Sequence, residues 1–293
     1  MRIVSLLPSA TEIVCAVGLT DSLVAVTHEC DYPPGVAGKP VLTSSALSGV
    51  TSSGAIDRHI RRLVHEGSSV YDLDADRLAN LRPDLILTQE LCAVCAVSYP
   101  IVRQAARRLE GPVQLVSLEP QSLDDLLENI RLVGELTGCD AVAAGIISGL
   151  RARLAALQAR VADQPRRSVL CLEWTDPPFN SGHWTPELVS LAGGRDVLGA
   201  TGRPASALSW EQIATADAGV VVVMACGLSV ERALIEVQAI RSRLGRRELW
   251  VVDANAYFSR PGPRLVDSAE IMAGILHPER MPPPDRRQAV PVA

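Results

Sequence analysis

Apolar and polar positions along this chain follow two alternating rhythms. Short runs rich in Val, Ile and Leu occur at Ile3–Leu6, Leu23–Val26, Leu85–Thr88 and Val113–Ser117, and again at Val169–Leu172, Val220–Met224 and Leu249–Val252. Runs of this length bounded by turn-forming residues read as strands, and the helically spaced stretches between them make βαβ units. In the second zone the spacing predicts helices near Pro186–Ala192, Trp210–Thr215, Val230–Ala239 and Asp267–Leu276. Near the start, Pro8-Ser9-Ala10-Thr11-Glu12 reads as a turn leading into a helix, with Ser9 and Glu12 at capping-box spacing. The pattern predicts an α/β protein.

Between the two alternating zones, Leu123, Leu126, Leu127, Ile130 and Val133 recur at helical spacing, as do Leu150, Leu154, Leu157 and Val161. Unbroken, such a segment of roughly 40 residues would reach about 60 Å at 1.5 Å per residue. Gly134, Gly138, Gly145 and Gly149 also allow it to break into two helices. The expected organisation is an α/β lobe over residues 1–121, a linking helix over 122–163 and a second α/β lobe over 164–280. Residues 281–293, with three consecutive prolines at Pro282–Pro284, are expected to be disordered.

The unusual polar and aromatic residues fall just after the strand-like runs. Val24–Thr27 leads into His28-Glu29-Cys30-Asp31-Tyr32-Pro33, and Leu85–Thr88 into a segment holding Cys92 and Cys95. Val169–Leu172 leads into Glu173 to Trp184, Val220–Met224 into Cys226-Gly227, and Trp250–Asp253 into Asn255 to Arg264. In α/β sheets, ligands bind beyond the carboxyl ends of the strands. Five such endings predict one shared cleft and a specific small ligand.

Charge and composition narrow the class. A net charge of -5 gives no electrostatic footprint for nucleic acid. No apolar run reaches the ~18 residues of a membrane span. Arg2 to Leu6 already reads as a strand, with no basic n-region and apolar h-region before it. Together with seven Cys, an odd number, this predicts reduced thiols and a cytoplasmic location. With only two Phe, four Tyr and four Trp in the chain, aromatic residues in loops carry information.

Cys92-x-x-Cys95 lets two sulfurs converge on one metal ion or form a reversible disulfide; small thiols filling tight turns are the plainer alternative. Cys30 and Cys226, also after strands, extend the candidate metal set, and His28 joins it. His28 and His183 each either ligate a metal or cap a loop by bonding backbone carbonyls. Trp174, Phe179, Trp184, Tyr257 and Phe258 sit among Asp, Pro, Asn, Ser and Gly, where stacking on a planar or macrocyclic ligand is expected. Arg260 and Arg264 flank Pro261-Gly262-Pro263 and either clamp ligand oxygens or pair with Asp253 or Asp267. Glu173 either does acid–base work or satisfies backbone amides. Cys15, Cys139 and Cys171 are expected in the core. No G-x-G-x-x-G after a strand, P-loop or G-x-S-x-G elbow occurs.

The order of motifs resembles a known family. Pro8-Ser9-Ala10-Thr11-Glu12 after the first strand is followed by Leu81-x-Pro83-Asp84-Leu85-Ile86-Leu87, a long linking helix, Pro177-Pro178-Phe179 and Ser259-Arg260-Pro261-Gly262-Pro263-Arg264. This resembles the class III periplasmic binding proteins of ABC importers, above all the vitamin B12-binding type, over about Met1 to Glu279. The resemblance implies two Rossmann-like lobes joined by a backbone helix, with one ligand held between them. By position, Pro178, Phe179, Tyr257 and Phe258 are similar to that family's cleft-lining residues, and Tyr71 lies near an expected aromatic platform. The added Cys and His loops depart from a simple cobalamin site, and the leaderless start resembles a cytosolic branch.

Three functions stand at this stage. The first is a non-catalytic binding protein for a corrinoid or metal chelate, with Asn255 among its polar contacts. The second is an enzyme or redox protein carrying zinc or an iron–sulfur cluster on its cleft thiolates and imidazoles. The third is the solute receptor of an ABC permease.

Overall fold

A computed structural model describes residues 1–47, 49–50, 52–65, 68–90, 97–109 and 111–293. The chain forms two compact units. The first comprises residues 1–51, 55–120 and 127–147, and the second residues 52–54, 121–126 and 148–293.

In the first unit, β1 (Ile3–Ser5), β2 (Leu23–Ala25), β5 (Leu85–Thr88) and β6 (Gln114–Ser117) make a parallel sheet in the order β2-β1-β5-β6. β1 and β5 are buried along their whole length, as expected of strands covered on both faces. Two further strands, β3 (Thr43–Ser45) and β4 (Tyr71–Leu73), pair antiparallel beside this sheet. Helices α1 (Pro8–Ala16), α2 (Ser53–His65), α3 (Ala75–Leu81) and α4 (Tyr99–Ala106) connect them. Val4, Leu6, Ala25, Leu78, Ile86 and Val102 form the core. The start of α1 differs from the capping box expected at Ser9. Pro8 occupies the first helical turn, Leu7 is the N-cap, and Ser9 and Glu12 are buried inside the helix. Proline's fixed φ and missing N–H suit that first position, which moves the boundary two residues earlier.

The linking segment is two helices, α5 (Leu123–Thr137) and α6 (Asp140–Val161), and not one rod. Gly138 separates them at φ +69, the left-handed conformation that closes a helix and that side chains with a Cβ resist.

In the second unit, β7 (Arg167–Thr175), β10 (Val220–Val223) and β11 (Glu248–Val252) run parallel at the centre of the sheet. The four valines of β10 lie between two neighbours and have no accessible surface. β7 is long enough to serve two partners along one edge. Its first residues pair parallel with β9 (Gly194–Asp196), and its last pair antiparallel with β8 (Pro178–Asn180). Helices α7 (Thr185–Leu191), α8 (Trp210–Thr215), α9 (Val230–Ile240) and α10 (Leu265–Leu276) complete the unit.

The expected disordered tail is corrected here. β12 (Ala289–Pro291) pairs antiparallel with β11, and Met281, Ala289 and Val290 are buried. The proline run stops further helix, but the Ala-Val that follows it finds an open sheet edge. Among the described residues, no helix is long and apolar enough to cross a membrane.

Candidate functional site

The second unit gathers polar and aromatic groups where β7, β10 and β11 end. The backbone amide of Cys226, after β10, donates to the carbonyl of Glu173 on β7 (3.0 Å), and Asn255 N, after β11, donates to Leu228 O (3.2 Å). Glu173 is the hub. Its Oε1 accepts from Gly182 N and from Thr185 Oγ1, both at 3.0 Å, so one carboxylate ties both ends of the segment carrying His183 and Trp184. Gly182 permits this fold because a Cβ there would lie 2.5 Å from both Ala205 N and Arg203 O. His183 adopts φ +49, a conformation that non-glycine residues seldom occupy unless their surroundings enforce it.

The Trp184 indole N–H donates to Phe258 O at 2.9 Å, and its ring stacks against His183 with centroids 5.6 Å apart. Phe258 closes a π-helical turn, Ala254–Phe258, whose first turn is fastened by Asp253 Oδ1 accepting from Ala256 N at 2.8 Å. From this turn Asn255 Oδ1 accepts from the buried Arg260 guanidinium at 3.1 Å, and Arg264 lies over the Tyr257 ring at 5.6 Å. A guanidinium held against an aromatic face presents a rigid cationic edge suited to carboxylate or amide oxygens.

Electrostatics follow from enclosure. Burial pushes the Glu173 carboxyl up to about 7, against the lowering by its bonds to Gly182 and Thr185. Asp196, which accepts from Ser181 Oγ and from Gly199 N at 2.9 Å, is also raised by burial. Burial lowers the His183 imidazole below its usual value, and its Nδ1 is buried with no partner among the described residues.

The first unit builds a smaller face where β1, β2 and β5 end. A chain of hydroxyls underlies the loop after β2. Thr11 Oγ1 donates to Ser5 Oγ (2.8 Å) and meets Cys30 Sγ (3.1 Å), which also meets Thr27 Oγ1 (3.3 Å). Above it, the Thr43 hydroxyl accepts from His28 N at 3.1 Å and lies 2.6 Å from His28 Nδ1. Tyr71 OH donates to Glu29 Oε1 at 3.3 Å, and the Tyr71 and His28 rings sit 5.4 Å apart. His28, Glu29, Thr43 and Tyr71, with Leu6, Pro8, Thr27 and Val97, line a hollow of about 10 Å³.

The sequence-predicted residues divide accordingly. His183, Trp184, Asn255, Tyr257, Arg260 and Arg264 come together on the second unit's face, with Glu173 beneath it. Glu173 holds a backbone amide, the second of the two roles considered for it. Trp174 does not join them. Successive strand residues face opposite ways, so it packs on the hydrophobic core opposite Phe179, its antiparallel partner. Pro178 and Phe258 are buried, Phe258 at 3 % exposure, and act as support for the face. Asp267 pairs with Arg153 and not with either loop arginine. Cys226 is exposed in the second unit, whereas His28 and Cys30 belong to the first. Among the described residues no three His, Cys, Asp or Glu could hold a metal ion. Cys92 and Cys95 lie outside the described residues. Cys171 is fully buried, but Cys15 and Cys139 are only partly so.

Asp196, Thr185 and Thr43 were not foreseen from the sequence, and Asp253 was considered there only as a partner for Arg260 or Arg264, not as the cap of the π-helical turn. Asp253 carried a signal, since Asp followed three residues on by a backbone amide is a common cap, but Asp196 and Thr43 lie on short strands with no pattern of their own.

A model of the family described as "Periplasmic binding protein" matches residues 3–250. A vitamin B12-binding protein of Vibrio cholerae is 27 % identical over 273 residues, covering 92 % of this chain and 86 % of that protein. An uncharacterised ABC transporter substrate-binding lipoprotein of Bacillus subtilis is 23 % identical, over 95 % of this chain and 80 % of its own length. Among solved structures, a periplasmic haem-binding protein of Pseudomonas aeruginosa superposes with a TM-score of 0.74 at 20 % identity, covering 100 % of this chain and 98 % of that one. The periplasmic vitamin B12-binding protein of Vibrio cholerae gives 0.67 at 23 % identity, covering 94 % and 96 %.

Proposed function

Because the chain belongs to the periplasmic binding protein family, we propose that it is a non-catalytic binding protein for a metal-centred tetrapyrrole, a corrinoid or a haem, serving an ABC permease. The observation that carries this reading is the second unit's face, where Trp184, Tyr257, Arg260 and Arg264 set flat apolar rings beside fixed cationic edges. Tetrapyrroles have that chemistry: a wide apolar plane fringed by carboxylates or amides. Binding surfaces for such molecules combine aromatic walls with few placed polar groups. The vitamin B12- and haem-binding relatives support the same ligand class.

Titration with cyanocobalamin, diaquacobinamide and ferric haem, followed by quenching of tryptophan fluorescence, tests the reading. We expect saturable binding of at least one at micromolar concentration or tighter. Trp184→Ala and Arg264→Ala should each weaken it about tenfold, the order expected for losing one stacking or cation contact. Absence of binding by all three removes the ligand class. Fractionation of native cells then separates two duties: recovery outside the cytoplasmic membrane assigns delivery to an importer, and retention inside it assigns intracellular carriage.

A further inference from the structure

We propose that a groove in the second unit, between α6, α10 and the proline tail, binds a short apolar peptide with free termini, its carboxylate on Arg160 and its ammonium on Asp267. The groove encloses about 440 Å³. It shares no lining residue with the face proposed for the tetrapyrrole, so the inference stands apart from that reading.

All of the lining belongs to the second unit. Arg153, Leu157 and Arg160 share one face of α6, and Asp267, Glu270 and Ile271 share one face of α10. Leu157 and Ile271 make an apolar floor, and Met281–Pro284 add a wall. That wall is fixed at both ends: Met281 N donates to His277 O at 2.9 Å, and Asp253 N donates to Gln288 O at 2.8 Å. It is also pressed onto α10, because a Cβ on Gly274 would stand 2.6 Å from Pro282 O and 3.2 Å from Pro284 Cδ. The groove is therefore built into the fold, and its volume falls in the range of about 300–1,000 Å³ typical of small-ligand sites.

Its two ends carry opposite unbalanced charge. Arg153 donates to Glu270 Oε1 and Oε2, at 3.1 and 2.7 Å, and to Asp267 Oδ1 at 2.5 Å. Two carboxylates thus share one guanidinium, and Asp267 Oδ2 is left to accept from an incoming ammonium. Arg160 is the reverse case. Among the described residues its guanidinium meets Met281 Sδ at 4.0 Å and no carboxylate, since Asp163, three positions on, is engaged by Arg280. Arg153 and Arg160 are seven residues apart, about 10 Å along the helix at 1.5 Å per residue. That separation excludes an α-amino acid, whose ammonium and carboxylate flank one carbon. A fatty acid would leave Asp267 unanswered. An extended chain covers about 3.3–3.6 Å per residue, so about three residues bridge the ends. The wall agrees with a peptide, because three consecutive prolines supply carbonyls and no N–H and so accept from amides without offering a donor. Their rings and the floor take apolar side chains.

The test titrates the full chain with leucyl-alanyl-leucine by isothermal calorimetry, with its N-acetyl form, its C-terminal amide and octanoate as comparisons. We expect a dissociation constant on the order of 0.1 mM, within the ceiling for a ligand of this size. Blocking either end should weaken binding about tenfold, the order for losing one charge-assisted hydrogen bond. Arg160→Gln should cost the free peptide about the same tenfold and cost the amide form nothing further; Asp267→Asn should do likewise for the acetylated form. The blocked peptides are measured on the unmodified protein, which keeps the test decisive where a variant misfolds. No binding of the free peptide overturns the proposal, as does equal binding of the blocked forms. Octanoate held as tightly as the peptide assigns the groove to amphipathic anions. A concentration-dependent dimer in native mass spectrometry, dispersed by Arg160→Gln, assigns it to a second copy of this chain. Either result overturns the peptide. Haem and cobinamide are absent from the assay, so its failure and that of the tetrapyrrole reading are separate outcomes.

Discussion

Glu173 shows how much a single side chain can hold together that its place in the sequence does not report. Acceptance from Gly182 N and Thr185 Oγ1 makes it the fastening of the Trp184 segment, and enclosure raises its carboxyl to about 7. A carboxyl raised in the folded state binds its proton more tightly there than in the unfolded chain. Its ionisation therefore costs stability progressively as pH rises from about 4.5 to about 7, and the cost is absent below that window. Glu173→Gln keeps an oxygen for both donors and cannot ionise. The variant should gain on the parent by on the order of 1–3 kcal/mol between pH 4.5 and pH 8, read from urea unfolding at the two pH values. An unchanged gap would mean that Glu173 ionises freely. Sequence alone separated neither role for this residue, because the amide and the hydroxyl it holds lie nine and twelve positions away. Likewise the aromatic cluster was legible as composition, yet Trp174 and Trp184 part company only once β7 is known to turn alternate residues to opposite faces.

At the level of elements, strong patterns were legible. Leu85–Thr88 and Trp210–Thr215 are a strand and a helix with the boundaries the pattern predicts, because burial on both faces or a Ser–Gln capping box leaves a local mark. The three-residue strands β3, β8, β9 and β12 were not legible, since each exists by pairing with a distant neighbour and carries no periodicity. β12 matters most for stability. Val290 is 7 % exposed within the second unit's core and sits opposite Val251. Val290→Asp would bury an unpaired carboxylate and should cost about 2–4 kcal/mol, seen as a lower urea midpoint, with β12 detaching from β11 in hydrogen exchange. A loss under about 0.5 kcal/mol would indicate that the tail is a passenger, since that is the range of ordinary surface changes. The break at Gly138 was within the sequence's reach, but whether a glycine bends or ends a helix depends on a φ that composition does not report.

For the molecule as a whole, the resemblance carried by motif order led to the family, and the match over residues 3–250 places the chain in it. Motif order survives at about a quarter identity because it reflects the succession of elements, whereas ligand identity rests on a few loop side chains that vary freely. If the second unit's face binds a tetrapyrrole, the ligand selects the folded chain and must stabilise it. At a hundredfold excess over its dissociation constant the gain is about 2.7 kcal/mol, which at this chain length should raise the thermal midpoint by roughly 4–5 °C. Calorimetry with and without cobinamide or haem measures it; a saturating ligand that leaves the midpoint unmoved would have to bind the unfolded chain equally well. One detail of the second unit bears on which pigments qualify. Trp184 has already given away its only N–H, to the carbonyl of Phe258, so what it offers a visitor is a flat surface and nothing to grip. Such a wall judges breadth and planarity while ignoring peripheral decoration, and cobalt and iron macrocycles should feel alike against it.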